Sequence, residues 1–466
     1  MGNKIIYLLL VCVLFFIGCS DSHMMSKWKS TDETGYILLN EVIKAKDGTI
    51  AVDSGKLFYY VDYGTWHGFK NFEMSGFAKT EKGSTAGIWF HTSLGRSGYE
   101  VLIHNGPLDK TRKTGSLSAV RNLYKSMAND GEWFPFKITV RGNNIAVQIN
   151  GRDVVCYTEP NFLYRLSDYA LRRLGYGEGY FSLIGYQGKV EFKKLAYKKL
   201  SVYEVNPGDT LGAVDERTDP IIQYQQMNFP IIDFHVHLKG WTMEQAHATS
   251  MNYGINYGIA PNCGPGFHIT DDEGVRLYVD STKHLPFFFG MQCEGRQWVT
   301  TFSRESRHLF DYGFADALTF NDHKGRPTRM WIPEESFVDI PAEQYVDMVV
   351  DRTLYILNNE PIDIYVNPTL LPHVIRDDYE KLWTKERYDK IIKALKDNGI
   401  ALEINARYKI PSFEIIKAAK EAGVKFTFGT NNNTPEMGKL EYCLEAIRVC
   451  RLTEDDLWFP IDRKPF

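Results

Sequence analysis

The chain has 466 residues, of which 44% are hydrophobic and 24% charged, and its formal net charge is −4. This composition is typical of a folded protein of two or three domains and excludes a disordered chain or a membrane bundle. No basic block interrupts the sequence, so we expect no nucleic-acid partner. The aromatic share of 14% fits carbohydrate stacking and fits a tyrosine-rich β core equally well.

The first predicted segment is a secretion signal that ends in a lipid-attachment site. Lys4 precedes an apolar run too short for a comfortable membrane span, and this run ends at Gly18-Cys19 before polar residues. A small residue directly before this cysteine resembles a bacterial lipobox, which implies that Cys19 carries a lipid. The alternative is an ordinary signal peptide with an incidental cysteine. The lipobox resemblance implies a protein of the bacterial cell envelope, at its periplasmic or outer face, attached to the membrane only through the lipid.

Changes in composition along the chain predict five segments. We expect a lipoprotein signal peptide, a tether, a β-domain, a Pro/Gly/Asp-rich linker and an α/β domain, over residues 1–19, 20–34, 35–200, 201–229 and 230–466.

The cysteines beyond the signal are scattered and odd in number, so they do not form a disulfide framework. Cys443 and Cys450 lie seven residues apart on a predicted helix, about 10 Å from each other and too far to bridge. We therefore expect buried free thiols.

Apolar residues alternate with polar ones through most of the β-domain. In residues 136–149 the alternation runs from Phe136 to Ile149, and Asn150-Gly151 then predicts a two-residue hairpin turn. Several short strands with regular turns predict a β-sandwich of the jelly-roll kind.

The same region resembles a known family. The segments "GFKNFEMSGFAKTEKGSTAGIWFHTS", "GYEVLIHN", "GEWFPFKITVRGNNIAVQINGR" and "GKVEFKKLAYKKL" are similar to the concanavalin-like 3-keto-glycoside lyase/hydratase family, also known as the 3-keto-disaccharide hydrolase family. The resemblance implies a sugar-facing concave sheet. It also implies chemistry on sugars oxidised at C3, where the ketone acidifies the C2 proton and permits elimination of the C1 substituent.

Three polar side chains of this domain are candidate catalytic residues. His91 stands where the family often has Arg, Glu100 is retained, and His104 follows on the same strand face as Glu100. Gln187 stands in a closing segment that often carries a histidine in the family. The three candidates would supply a base and a metal ligand. Alternatively, they form the wet face of a sheet whose other face is the core.

Short apolar strands alternate with helical stretches after the linker. Seven strands are predicted, over residues 231–237, 256–262, 286–294, 315–322, 362–368, 400–406 and 424–431. Between them, Thr242 and Gln245 form a capping-box pattern at the start of a helix. The alternation predicts a parallel (βα)7 barrel, with an eight-stranded barrel as the alternative if one short strand escapes detection.

Polar residues end several of these strands, and such ends meet at one rim of a parallel barrel. His235 and His237 project to the same side of the first strand, and paired neutral imidazoles are good ligands for Zn²⁺ or Mn²⁺. Glu294 and His323 end two further predicted strands and would complete the ligand shell. The alternative is that both histidines hydrogen-bond to neighbours without a metal.

The barrel resembles the PHP (polymerase and histidinol phosphatase) family through "DFHVHL", "LEIN" and "FTFGTNNN". The resemblance implies a distorted seven-stranded barrel and a metal cluster that activates water for hydrolysis. Asparagines stand where the family has several ligands, and an uncharged amide is a poor ligand for a transition metal. We therefore expect one divalent ion, held by His235, His237, Glu294 and His323, with Glu403 or a metal-bound hydroxide as base. The expected sugar-binding amides are Asn367, Asn405, Asn431 and Asn433.

The leading functional hypothesis is a lipid-anchored, carbohydrate-active enzyme. Its jelly roll would face a glycan or glycoside, and its PHP-like barrel would carry out a metal-assisted hydrolysis. One alternative places elimination or hydration of 3-keto-glycosides in the sandwich, with an accessory barrel. A second alternative is a non-catalytic glycan-binding lipoprotein.

Overall fold

The computed structural model describes residues 49–53, 70–92, 97–174, 179–200 and 212–463, together with the backbone of residues 37–38 and 57–60. The predicted signal, Cys19 and the tether lie outside the described residues. Contacts divide the chain into two compact units. The second unit consists of residues 106–127, 160–169 and 211–466, and the first contains the remainder up to residue 210.

The first unit is built from antiparallel strands. In the described part they are β1 (Ile37–Leu38), β2 (Ile50–Val52), β3 (Leu57–Tyr60), β4 (Phe72–Thr80), β5 (Thr85–Thr92), β6 (Tyr99–Ile103), β7 (Phe134–Arg141), β8 (Asn144–Ile149), β9 (Arg152–Thr158), β10 (Tyr180–Gln187) and β11 (Val190–Lys199). One sheet has the order β1-β11-β4-β7-β8-β9, with β2 paired to β11, and the other has the order β3-β10-β5-β6. The predicted β-sandwich is confirmed.

The core of this unit lies between the two sheets because one face of each strand is apolar. Strand β4 alternates buried and partly exposed residues along its whole length. Phe72 of β4 meets Phe90 and Phe181 of the other sheet, with ring centroids 5.9 and 4.7 Å apart. The hairpin predicted at Asn150-Gly151 joins β8 to β9, and both residues have the positive φ that this turn requires.

Two segments from the sandwich half of the sequence belong to the second unit. In residues 106–127, Tyr124 is buried in the barrel's hydrophobic core. Asn122 and Asn256 exchange hydrogen bonds, since Asn256 Nδ2 donates to the Asn122 carbonyl and Asn256 Oδ1 accepts from the Tyr124 N–H. The contact division therefore differs from the contiguous ranges expected from the sequence, because these loop residues bury their side chains against the start of a barrel strand.

The second unit is a barrel of parallel strands with flanking helices. Its strands are β12 (Ile232–Val236), β13 (Asn256–Ile259), β14 (Asn262–Cys263), β15 (Phe288–Cys293), β16 (Tyr312–Ala315), β17 (Thr319–Asn321), β18 (Pro327–Arg329), β19 (Ile364–Tyr365), β20 (Ala401–Asn405) and β21 (Phe426–Gly429). Its α-helices are α1 (Pro220–Gln226), α2 (Met243–Tyr253), α3 (Asp272–Thr282), α4 (Trp298–Thr301), α5 (Arg304–Arg307), α6 (Ala342–Asn359), α7 (Tyr379–Leu382), α8 (Lys385–Asn398), α9 (Phe413–Glu421) and α10 (Glu441–Cys450).

The parallel sheet closes on itself. Its order is β13-β12-β21-β20-β19-β16-β15-β14, and β13 also pairs with β15. Strand β14 continues β13 after a short break, so the closed barrel has seven strand positions. The predicted (βα)7 architecture is confirmed, and all seven strand ends reach one rim.

The fourth barrel strand lies N-terminal to its predicted position. The prediction placed it at residues 315–322, whereas the parallel strand is β16 (Tyr312–Ala315). Residues 319–321 instead pair antiparallel with 327–329. A tight turn at Asp322 forms this hairpin, since its carboxylate accepts from the N–H groups of Lys324 and Arg326.

The predicted helix signals have the expected local geometry. Thr242 accepts from the Gln245 N–H and Gln245 Oε1 accepts from the Thr242 N–H, which completes a capping box at the start of α2. Helix α8 ends at Gly399, which adopts φ +62°.

Among the described residues, no helix is both long and apolar enough to cross a membrane. Their cysteines are buried free thiols, as predicted.

Candidate functional site at the barrel mouth

A pocket of about 220 Å³ opens at the carboxyl ends of the barrel strands. Side chains that follow several different strands line it, among them His237, Asn262, Glu294, Asp316, Asn367 and Asn431. Ligand sites in parallel barrels lie at this face, because the loops after the strands surround a common centre.

Glu294 follows strand β15, and its carboxyl group faces two amide donors. Its Oε1 accepts from Asn262 Nδ2 at 2.5 Å and from Gln292 Nε2 at 2.9 Å. Burial, together with the nearby charge of Asp316, raises the pKa of Glu294 to about 7. A carboxyl group with this pKa exchanges its proton near neutral pH, which suits general acid–base catalysis.

Asp316 is a pocket residue that the sequence reasoning missed. It directly follows β16, and its carboxylate accepts from the Leu318 N–H at 3.0 Å and from Asn367 Nδ2 at 2.9 Å. Burial raises its pKa as well. The signal available in the sequence was the short run Tyr-Gly-Phe-Ala at residues 312–315 immediately before this acid. Placing the strand at residues 315–322 hid that signal and moved the expected strand end to His323.

His235 and Glu403 form a buried pair beneath the pocket. Each is 1% exposed, and His235 Nδ1 lies 2.6 Å from Glu403 Oε1. Glu403 Oε2 accepts from the Asn367 N–H at 2.7 Å and from Asn405 Nδ2 at 3.0 Å. Both oxygens of Glu403 are therefore engaged, so it orients His235 and has no free oxygen with which to act as a base. His235 Nε2 is buried without a hydrogen-bond partner.

Asn367 connects these groups across the rim. Its Nδ2 donates to Asp316, and its Oδ1 accepts from Asn405 Nδ2 at 2.9 Å and from Asn431 Nδ2 at 2.8 Å. Asn367 and Asn431 have φ +50° and +44°, a left-handed conformation that asparagine tolerates better than most residues. Asn367 and Asn405 are buried, and both groups of each side-chain amide are hydrogen-bonded, so they hold the site together. Asn431 is partly exposed and lines the pocket.

His237 faces the pocket as a neutral ring. Burial and the adjacent His235 lower the pKa of His237 to about 3. Its ring bonds to the backbone of Ala260 and to the Asn431 side chain. Asn432 accepts from the His237 N–H at 2.8 Å and donates to its carbonyl at 2.6 Å, whereas Asn433 is exposed and does not line the pocket.

Aromatic side chains surround the entrance of the pocket. Phe267 is 41% exposed and Trp331 is 40% exposed, and both line the pocket. Tyr408 lines it beside Arg407, whose guanidinium lies 4.7 Å from the tyrosine ring centroid. Exposed aromatic rings next to hydrogen-bonding side chains are the combination that a sugar requires, since a pyranose ring has apolar faces and a polar edge.

The predicted metal ligands do not converge. Among the described residues, one group of three His, Cys, Asp or Glu donors has its ligand atoms within 4.8 Å of one another, and it consists of Asp322, His323 and Asp339. His323 belongs to the turn between β17 and β18 and does not line the pocket that His237 and Glu294 share. Lys324 and Arg326 pair with Asp339, and Arg326 also pairs with Asp322, so cations already neutralise this group.

The sandwich residues predicted as catalytic lie in separate environments. Both ring nitrogens of His91 face backbone carbonyls, those of Leu174 at 3.1 Å and Lys70 at 2.9 Å. His104 Nδ1 lies 3.0 Å from the Ser84 carbonyl.

Glu100 lies in a buried cluster with Tyr186 and Arg172. It is 4% exposed, accepts from Tyr186 Oη, and pairs with Arg172 at 3.1 Å. The Arg172 guanidinium stacks 4.1 Å from the Trp89 ring centroid, and Trp89 Nε1 donates to Tyr186 at 2.9 Å. A Cβ at Gly87 would overlap the Glu100 carboxylate, so this position accommodates only glycine.

The fold and the two sites define a protein with a β-sandwich unit and a parallel (βα)7 barrel whose mouth carries paired acids and exposed aromatic rings. Residues 15–198 match the family model of the 3-keto-alpha-glucoside-1,2-lyase-like domain. This match confirms the resemblance predicted for the sandwich and supports a carbohydrate-related function. Membership of the barrel in the PHP family stays a prediction, with which the closed seven-stranded architecture is consistent.

Solved structures with similar parts include a protein from Parabacteroides distasonis provisionally assigned as a glycosyl hydrolase. It is 17% identical, with 33% of this chain and 82% of that chain covered and a TM-score of 0.28. The carbohydrate-binding module CBM66 from Bacillus subtilis is 13% identical, with 33% and 96% covered and a TM-score of 0.22. Similarities of this size carry no functional argument. Among curated proteins, none matches the chain.

Proposed function

We propose that the protein is a carbohydrate-active enzyme that cleaves a glycosidic bond by proton transfer at the barrel mouth. The observation that carries this proposal is Glu294, a pocket carboxyl group whose pKa is raised to about 7 beside a second acid, Asp316. Two carboxyl groups near a scissile bond supply an acid for the leaving oxygen and a base for the opposite face of the sugar.

The chain's own residues divide the work as follows. Glu294 donates a proton to the departing oxygen, and Asp316 accepts one from the attacking water or from the sugar. Asn367 holds Asp316 in place through its amide. Phe267 and Trp331 stack against the sugar ring and exclude water from one side of the pocket.

The metal-assisted step predicted from the sequence is not used in this mechanism, because the predicted donors do not converge. The metal content of the purified full chain tests whether His235 binds a metal. Stoichiometric Zn or Mn in the wild type that disappears in His235→Ala would restore His235 as a ligand.

Release of methanol from a panel of methyl glycosides and their 3-keto forms tests the proposed chemistry, because an alkoxide leaving group needs the proton that Glu294 would donate. We expect Glu294→Gln to lower kcat at least 100-fold, since general acid–base groups contribute this much or more. Glu100→Gln is expected to retain activity. Full activity in Glu294→Gln would refute the proposal. A cooperative thermal unfolding transition of the Glu294→Gln variant would confirm that it is folded.

A second candidate places elimination from 3-keto-glycosides in the sandwich. The match of residues 15–198 and the buried Glu100–Tyr186–Arg172 cluster favour it. In this case Glu100→Gln, and not Glu294→Gln, abolishes turnover of the 3-keto substrates. Glycan binding without turnover of any substrate would support the non-catalytic alternative.

We also propose that the protein is attached to the bacterial cell envelope by a lipid on Cys19. Two features of the sequence support this proposal. A small residue, Gly18, stands directly before the cysteine, and an apolar run precedes Gly18.

A further inference from the structure

A second and larger pocket lies beside the barrel mouth. Its volume is about 680 Å³, and its walls come from the segments that follow β19 and β20 and from helix α10. Arg407 and Tyr408 line both pockets, so they form the junction between them. A ligand longer than one sugar unit that enters the mouth would extend past these two side chains into the second pocket.

Three basic side chains line the second pocket: Arg376, Arg407 and Lys409. None of the three has a carboxylate partner within 4.0 Å among the described residues. The hydrogen bonds of Arg376 go to the Leu371 carbonyl at 3.3 and 3.4 Å, and that of Arg407 goes to the Asn431 carbonyl at 3.3 Å. All three side chains are exposed.

Basic residues on the neighbouring helix α8 behave differently. Three lysines of this helix each pair with an acid one helical turn away: Lys385 with Asp389 at 2.5 Å, Lys390 with Glu386 at 3.1 Å, and Lys393 with Asp397. Two acids also line the second pocket, Glu380 and Glu414, and Glu414 accepts from Tyr388 at 2.8 Å. The three cations therefore outnumber the acids of their pocket and remain available to a ligand.

The floor of the second pocket is suited to a sugar ring. Phe413 and Tyr442 stack on each other with centroids 5.0 Å apart and an interplanar angle of 11°. Tyr379 adds a third ring, and its hydroxyl group is already engaged by Thr369 and the Ser412 N–H. The rings offer apolar surface, while the charged groups at the edge offer hydrogen bonds.

We propose that this second pocket binds an anionic sugar unit of the substrate, one that carries a carboxylate or a sulfate. Arginine forks recognise such planar or tetrahedral anions through paired charge-assisted hydrogen bonds, and lysine adds a point charge. The inference rests on the proposed function in one respect: the bound sugar is a substrate only if the barrel mouth cleaves the bond next to the anionic unit.

Isothermal titration calorimetry on the full chain tests the inference. The probes are galacturonate, alginate and unsulfated chondroitin tetrasaccharides, each compared with its methyl ester, and a sulfated carrageenan tetrasaccharide. We expect at least one uronate to bind about tenfold more tightly than its ester, and we expect this advantage to shrink at high salt. Dependence on the sulfate of the carrageenan probe alone would assign the anion to a sulfate.

Charge-removing variants connect the binding to this pocket. Arg376→Gln and Lys409→Gln remove the positive charge and retain a polar side chain, and each is expected to weaken binding of the acidic probe about three- to tenfold. Lys283→Gln, on an exposed lysine at the end of α3, is the matched control and leaves binding unchanged. Equal binding of every uronate and its ester, together with equal binding of the carrageenan probe and its desulfated form, would overturn the proposal. Unchanged binding of the preferred probe in both pocket variants would overturn it as well.

The two proposals fail separately. Glu294→Gln is expected to bind the acidic probe like the wild type and not to cleave it. If the acidic probe binds through Arg376 and Lys409 but is never cleaved, the anionic pocket is supported and the proposed chemistry is refuted. If neutral glycans are cleaved in a Glu294-dependent way and no anion is preferred, the proposed chemistry is supported and the anionic pocket is refuted.

Discussion

At the scale of single residues, two glutamates near the barrel mouth have different surroundings. Glu294 is partly buried and its pKa is raised to about 7, whereas Glu403 is fully buried between three donors. The sequence predicted Glu294 as a metal ligand and Glu403 as a base, from their places on two barrel strands. Their surroundings assign them different roles.

The titration of Glu294 predicts a pH-dependent stability. Its pKa rises from the usual 4.5 to about 7 on folding, so the folded chain retains a proton that the unfolded chain releases in this range. The contribution of this group to stability is therefore complete below pH 4.5 and is lost as the pH rises through 7. Glu294→Gln removes the titration, and we expect the variant to gain about 1–3 kcal/mol relative to wild type between pH 5 and pH 8.

Thermal or urea unfolding at the two pH values measures this difference. Glu421→Gln, on an exposed glutamate at the end of α9, is the control and should follow the wild type at both. An identical pH dependence in Glu294→Gln and wild type would contradict the raised pKa.

The bonds of Glu403 predict a structural effect. Glu403→Ala leaves the ring N–H of His235, the Asn367 N–H and the Asn405 amide without an acceptor in a buried site, which costs about 3 kcal/mol or more. The midpoint of urea unfolding measures the loss. Glu386→Ala, whose side chain is 80% exposed, should change stability by less than about 0.5 kcal/mol. Equal midpoints for the two variants would show that Glu403 is not held as described.

At the scale of elements, the close approach of barrel strands depends on a missing side chain. Gly429 ends β21, and a Cβ there would overlap Glu403 Oε1 and come within 2.8 Å of the His235 Cβ. We expect Gly429→Ala to displace the His235–Glu403 pair, to destabilise the barrel by about 1–3 kcal/mol and to lower turnover. Unfolding midpoints and kcat measure these effects.

Gly212→Ala is the matched control, because a Cβ at that position meets no atom within 4 Å. If Gly429→Ala unfolds at the same denaturant concentration as this control, the strands are not packed as tightly as the structure shows.

The strands also explain which site residues the sequence revealed. Period-two alternation and strand-end polarity located His235, His237, Glu294 and Asn367, because those strands are long or are followed at once by a polar residue. Asp316 was missed because the hairpin of residues 319–329 imitates a barrel strand. The apolar residues of this hairpin resemble a fourth barrel strand in the sequence. The pairing with β15 and β19 shows that the barrel strand consists of residues 312–315.

At the scale of the whole molecule, the anchor proposed at Cys19 predicts a location that is independent of the catalytic site. We expect Cys19→Ala to move the protein from the membrane fraction to the soluble fraction and to abolish labelling with radioactive palmitate. Cys12→Ala, which changes a cysteine inside the apolar run, should leave both unchanged. Membrane association and labelling that survive in Cys19→Ala would refute the lipid anchor.

The sequence by itself determined the sandwich, the seven-position parallel barrel and the face of the barrel at which polar strand ends gather. These features depend on local periodicity and on the polar ends of strands, which are visible along the chain. Only the tertiary structure decided the chemistry of the mouth. It separated His323 from the other predicted ligands, brought Asp316 beside Glu294, and saturated Glu403 with donors. Burial and the spacing of charges set those properties, and both arise from residues that are far apart in the sequence.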